Sequence, residues 1–307
     1  MDLLLIAGDL FHRQPLLREL KEVNYLFSRL TRTKVVLMAG NHDYLKHDSY
    51  YRTFSWCEQV HMFLSQKMEY VEYEELGVCV YGLSYEQKEI GRALYTDAFP
   101  QRRKPIEILL AHGGDEKHIP INRNNLIQLG YDYVALGHIH MPAEIEKNRV
   151  YYAGAPEPVD KNDVGRHGYL LGEIRQGRTE VRFAPAASRE YVHMKVETEQ
   201  TMTGRAVKEA VTAAVRKRGT QNLYKIILTG LRDPEMLYDT GGMDVYGNIL
   251  EVVDDTKPAY DFEKLLRQNA DNLLGRYIEC LKDSPAGSME YQALFEGVEA
   301  LLETKQS

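Results

Sequence analysis

The feature that most constrains this chain is a strand signal that recurs with one kind of ending. Residues 35–43 read Val-Val-Leu-Met-Ala-Gly-Asn-His-Asp, an apolar run that stops at Gly40 and hands over to Asn41, His42 and Asp43. Residues 3–11 read Leu-Leu-Leu-Ile-Ala-Gly-Asp-Leu-Phe, with Asp9 directly after Gly8 and His12 just beyond. Residues 108–114 reach His112 in the same manner, and 133–140 end in Gly-His-Ile-His, supplying His138 and His140. Runs of this kind suit strands buried on both faces of a sheet. Gly40 then lets the backbone turn where a Cβ would resist. The ends of buried strands are where open α/β sheets hold ligands. Four strands delivering Asp, Asn or His imply a common rim where oxygen and nitrogen ligands converge on metal.

Between these strands the pattern alternates. Pro15 opens a helical stretch to about residue 30, with Leu16, Leu17, Leu20, Val23, Leu26 and Phe27 assigned to one face. Strand–helix–strand order argues for a parallel α/β unit. A helix is predicted over 51–59 and followed by a short strand, a hairpin over 71–83, a short helix over 86–95 and a loop over 99–104. Strand 106–112, helix 122–129 and strand 133–136 follow. Residues 150–153, 168–174 and 180–183 form a β-rich run punctuated by Gly, Pro and Asp. This mixture suits two sheets packed face to face with helices outside. A boundary is expected near 185–189, so residues 1–185 make the first domain. A β-α-β module occupies 186–255, built from strand 191–196, helix 204–217 and strand 223–229. Residues 256–307 form a helical segment, with helices over 262–281 and 289–302 separated by Ser284-Pro-Ala-Gly and packed on each other.

Composition excludes some classes. A net charge of −7 is not the footprint of a typical nucleic-acid-binding domain, whose pI usually lies above about 9. Local basic patches can still serve. Arg102-Arg103-Lys104 and Arg216-Lys217-Arg218 are the candidates, and solvated surface clusters are the plainer reading of both. The three cysteines, Cys57, Cys79 and Cys280, are scattered, which fits a reducing compartment rather than a disulfide framework. No apolar stretch reaches the roughly 20 residues that a membrane span needs, and Met1 leads straight into strand-like sequence. A cytoplasmic protein without membrane contact is the expectation.

The candidate ligands are a carboxylate, an amide oxygen and imidazoles, a set that suits Mn²⁺, Fe or Zn²⁺. Asn41 offers oxygen without charge, which leaves a site cationic enough to grip phosphate. His42 follows it directly and is better placed to protonate a leaving oxygen. Two metals sharing a carboxylate can activate water and stabilise both ends of an in-line displacement at phosphorus.

Gly8-Asp9, Gly40-Asn41-His42-Asp43, His112-Gly113 and Gly137-His138-Ile139-His140 resemble, in order and spacing, the calcineurin-like metallophosphoesterases. Gly8-Asp9-Leu10-Phe11-His12 is similar more narrowly to SbcD-type DNA repair nucleases. The motifs span roughly the first 185 residues, and the β-α-β module is similar in order to that family's capping domain. The resemblance implies a four-layer α-β-β-α sandwich with an α/β capping domain and terminal helices. It makes Asp9 a bridging carboxylate, with Asn41, His112 and His138 completing one metal site and His140 belonging to the other. It makes His42 the general acid and His12 a second histidine near the scissile phosphate. It further implies two divalent ions, manganese foremost, duplex DNA as substrate, an SbcC-like coiled-coil ATPase as partner, and homodimerisation. His47, His61, His118, His167 and His193 match no motif position and are read as ordinary histidines.

One departure stands out. The family carries an Asp-x-His on a strand preceding the Gly-Asp strand, and this chain has none before Met1-Asp2-Leu3. A truncated fragment of an active enzyme is the favoured explanation, and natural degeneration to a scaffold that binds one metal is the other. A small-molecule phosphodiesterase or phosphatase on the same scaffold is the rival enzymatic reading.

Overall fold

Alternation along the strands builds the first unit. The computed structural model describes residues 1–175, 177–285 and 287–306, with only the backbone described at 303, 305 and 306. Strands β1 (Leu3–Ile6), β2 (Lys34–Leu37) and β3 (Val60–Met62) form a parallel sheet in that order, with helix α1 (Leu17–Ser28) joining the first two. Side chains alternate across such a sheet. Leu4, Ile6, Val35 and Leu37 face α1, packing with Leu20 and Phe27. Leu3, Leu5, Val36 and Met38 face the other way.

That inner face meets a second sheet. It contains β4 (Glu69–Tyr73), β5 (Val78–Gly82), β6 (Ile106–His112), β7 (Tyr133–Gly137), β8 (Ala143–Glu146) and β9 (Val150–Tyr152), in the order β4-β5-β6-β7-β9-β8. Strands β5, β6, β7 and β9 are parallel, and β4 and β8 flank them antiparallel. Val80, Ile108, Leu110 and Ala135 pack inward against Val36 and Met38. Tyr81, Leu109, Ala111, Val134 and Leu136 point outward, where Leu126 of the short helix α2 (Arg123–Gln128) covers them. The layers thus run helix, sheet, sheet, helix. A hairpin of β10 (Gly168–Arg175) and β11 (Arg178–Pro185) closes the inter-sheet core with Leu170, Ile174 and Val181.

The chain divides into two compact units, Met1–Glu190 and Tyr191–Ser307. In the second, β12 (Tyr191–Thr198), β13 (Leu223–Arg232) and β14 (Ile249–Asp254) form a parallel sheet, extended by β15 (Lys257–Pro258) beside β13. Helix α3 (Gly204–Arg218) buries Val207, Val211 and Val215 against Tyr224, Ile226 and Leu228. Residues 256–307, expected as a separate segment, fall in this same unit. Helices α4 (Phe262–Gln268), α5 (Leu273–Leu281) and α6 (Met289–Gln306) share a core of Leu274, Ile278, Leu294 and Val298.

Four readings are corrected. The helix expected over 51–59 is only one 3₁₀ turn, Tyr50–Arg52. Its aromatics serve tertiary partners, Tyr51 holding Asp43 and Trp56 packing between Phe27 and Phe54. The helix expected over 86–95 is irregular, because Ile90 makes a backbone bridge with the His118 segment instead. The single helix over 262–281 breaks between α4 and α5. Asn272 caps the second piece, accepting from the Leu274 and Gly275 N–H groups, a role asparagine fills better than a helix interior. On α1, Leu16, Leu17 and Leu26 are exposed, and only Leu20, Val23 and Phe27 reach the core. Strands β8 and β14 escaped the sequence reading. Residue 286, within the breaker predicted at 284–287, lies outside the described residues.

Candidate metal centre

The functional side chains stand where the parallel strands stop. Asp9 follows β1, Asn41 and His42 follow β2, His112 ends β6, and His138 follows β7. Getting donors from two sheets into one place requires close backbone approach. A Cβ on Gly40 would lie 2.3 Å from the Asp9 Oδ1 atom, and one on Gly8 would lie 2.5 Å from His112 Nδ1. Asp9 and His138 themselves adopt left-handed backbone, with φ of 49° and 91°. Conformations of this kind cost of order 1–3 kcal/mol and concentrate at functional sites.

The donors converge. His112 Nε2 lies 2.9 Å from Asn41 Oδ1 and 3.3 Å from Asp9 Oδ2. His138 Nδ1 lies 3.0 Å from the same Asn41 oxygen. The opposite ring nitrogens are already committed. His112 Nδ1 donates to the Ala7 carbonyl at 2.7 Å, and His138 Nε2 donates to Asp115 Oδ2 at 2.7 Å. With those protons placed, both inward nitrogens present lone pairs. Lone pairs from Asp9, Asn41, His112 and His138 then face one small buried volume. A cation satisfies that set, so these residues fit a divalent metal. A histidine anchored through its second nitrogen is the usual support of a metal ligand.

Around the cluster the backbone is fixed by neighbours. The His42 N–H donates to Asp9 Oδ1 at 2.8 Å. Asp43, fully buried, accepts from the Gly40 and Phe11 N–H groups and from the Tyr51 hydroxyl. Tyr85 and Tyr95 donate to the His112 carbonyl, and the Tyr95 oxygen accepts the His112 N–H. Burial pushes the Asp9 carboxyl up, but the closeness of His112 and His42 outweighs it and leaves the group below its ordinary range. Burial and the neighbouring Asp9 charge push Asp43 up to about 6. Burial lowers His42 and His138, favouring neutral imidazoles.

Each sequence-predicted residue can now be placed. Asp9, Asn41, His112 and His138 come together. His42 stands beside them, its ring stacked on His12 at 4.3 Å between centroids. His140 does not join the cluster; its Nδ1 donates to Asp163 Oδ2 at 3.0 Å. Asp163 is held in turn by the Val159 and Asp160 N–H groups. Asp115, His118 and Asp163 were missed by sequence reasoning, and His118 was set aside as ordinary. The Asp-x-x-His spacing of Asp115 and His118 was the available signal. The Arg102-Arg103-Lys104 cluster is occupied: Arg103 pairs with Glu72 and stacks on Tyr70, and Lys104 pairs with Glu72 and Glu74. Among the described residues, no helix is long and apolar enough to cross a membrane.

Comparison with known proteins agrees with this geometry. Residues 1–142 match the family model for calcineurin-like phosphoesterases. A Bacillus subtilis protein named uncharacterized metallophosphoesterase YhaO is 27% identical over 276 residues, covering 82% of this chain and 65% of the relative. The DNA double-strand break repair protein Mre11 of Methanopyrus kandleri is 27% identical over 211 residues, covering 58% of this chain and 46% of the relative. The chain therefore spans less than two thirds of the length of either relative.

Proposed function

We propose that this chain is a metal-dependent phosphodiester hydrolase that cuts DNA in repair. The observation that carries the reading is the pocket of four convergent lone-pair donors with one imidazole, His42, left beside it. Asp9, Asn41, His112 and His138 would hold a divalent ion, with His140 contributing to a second; manganese suits this mixed oxygen and nitrogen set. Bound there, such ions supply positive charge for the phosphoryl oxygens and acidify adjacent water. His42 gives a proton to the departing oxygen. Burial lowers the His42 pKa, and a negative phosphodiester beside the ring favours its charged form. His12 backs the His42 ring and limits its rotation. DNA as substrate draws support from the name of the Mre11 relative and from the Leu-Phe-His sequence after Asp9. An SbcC-like ATPase partner and a homodimer extend the same analogy.

A second reading, hydrolysis of small phosphodiesters, is favoured by the net charge of −7 and by the acidic partners that occupy Arg103 and Lys104. Manganese-dependent rates on linear duplex DNA and on a chromogenic phosphodiester separate the two. Faster duplex cleavage that His42→Ala abolishes supports the nuclease reading. Turnover of the small ester alone supports the second, and unchanged cleavage in His42→Ala rejects the assigned role of that residue.

A further inference from the structure

His138 differs from the other cluster histidine in which nitrogen it turns inward. His112 points Nε2 at the donors and anchors Nδ1 on the Ala7 carbonyl; His138 points Nδ1 at Asn41 and anchors Nε2 on Asp115. The inward nitrogen of a histidine is set by what its other nitrogen donates to. For His138 that partner is one carboxylate, itself carefully held. Asp115 Oδ1 accepts the Lys117 N–H at 2.8 Å and the His118 N–H at 3.0 Å. The His118 ring donates through Nδ1 to the same carboxylate, 2.9 Å from each oxygen, and Oδ2 also faces His138 Nε2. His118 also lies against His138, with ring centroids 4.7 Å apart, and its backbone is tied through the Ile90 bridge.

We infer that Asp115, braced by His118, is a positioning residue that fixes His138 as the Nε2-protonated tautomer and so delivers Nδ1 to the metal pocket. The alternative that Asp115, His118 and His138 jointly hold a further ion is disfavoured by the His138 ring: with Nδ1 turned to Asn41 as a lone-pair donor, the neutral imidazole carries its proton on Nε2 and has no second lone pair to give. This inference rests on the metal-dependent reading for its consequence, but not for its geometry.

The test uses the full chain, as wild type and as Asp115→Ala, Asp115→Asn and His118→Ala. Long-range ¹H–¹⁵N spectra of the metal-free protein report the His138 tautomer, and calorimetric titration with Mn²⁺ reports affinity and stoichiometry. The expected result is an Nε2-protonated His138 in wild type and a mixture of tautomers in Asp115→Ala. Mn²⁺ affinity in Asp115→Ala should fall roughly ten- to hundred-fold with stoichiometry unchanged, the usual consequence of removing a metal ligand's outer partner. Asp115→Asn keeps an acceptor oxygen and should retain the wild-type tautomer with a smaller affinity loss, and His118→Ala should lie between wild type and Asp115→Ala. An unchanged tautomer in Asp115→Ala overturns the inference, as does loss of one whole ion per chain, which would make Asp115 a ligand. Should wild type bind no Mn²⁺, the metal-dependent reading fails, and the tautomer comparison still decides the role of Asp115.

Discussion

In the first unit β1, β2, β6 and β7 run parallel to a neighbour and give way to Asp9, Asn41, His112 and His138; in the second, β12, β13 and β14 run parallel in the same way and stop at Thr198, Arg232 and Asp254. The ends of the second sheet are tied up locally. The Thr198 hydroxyl donates to the Thr229 and Leu231 carbonyls, Arg232 donates to the Met236 carbonyl and Glu299, and Asp254 accepts from Thr256. The ends of the first face each other across two sheets with their lone pairs unspent. A parallel sheet provides a rim in either case. In the first unit donors from two rims converge where Gly8 and Gly40 let the segments close on one another.

That contrast can be broken at several points. The largest effect is expected from chelation: removing divalent metal should abolish phosphodiester hydrolysis, and Mn²⁺ should restore it, while circular dichroism of the second unit stays constant. Next comes His42→Ala, expected to slow hydrolysis by roughly 10²- to 10⁴-fold, the range for a lost general acid, with Mn²⁺ uptake by calorimetry unchanged. Gly40→Ala forces a methyl group onto Asp9 and should weaken metal uptake while costing about 1–3 kcal/mol in denaturant titration, as overpacking does. In the second unit, Leu228→Ala should cost about 2–5 kcal/mol through lost burial and cavity formation, leaving turnover per folded molecule at the wild-type level. Smallest is Thr198→Val, expected to cost about 1 kcal/mol for its hydrogen bonds with no change in hydrolysis. A fall in turnover in either second-unit variant would mean that its strand ends take part in the chemistry.

The rim itself was legible because its signal is local. Apolar runs, a glycine and a polar terminus sit within nine residues at 35–43, and side-chain alternation on β2 and β6 then dictates which core each residue joins. What escaped was decided by distance. Asp115 meets His138 across 23 residues, and Asp163 meets His140 across another 23, both from loops without periodicity. The misread helices failed for a related reason. Tyr51 and Trp56 lie in a stretch read as helix, yet each had a stronger tertiary partner in Asp43 and Phe27. Tyr81, Glu107 and the 101–104 loop show the same override. The fully buried Glu107 collects the Arg102, Arg103 and Lys104 N–H groups together with the Tyr81 hydroxyl, so the backbone of a run that reads as three surface cations is anchored by one interior side chain.

The Ala7–His112 bond joins the segment after β1 to the end of β6, and Asp9 faces His112 across the same seam. An ion lodged there would act as a rivet between the two layers of the sandwich. Its occupancy should therefore be readable without any substrate, as a rise in melting temperature confined to residues 1–190, since a ligand at 100 times its dissociation constant adds about 2.7 kcal/mol to the fold that binds it.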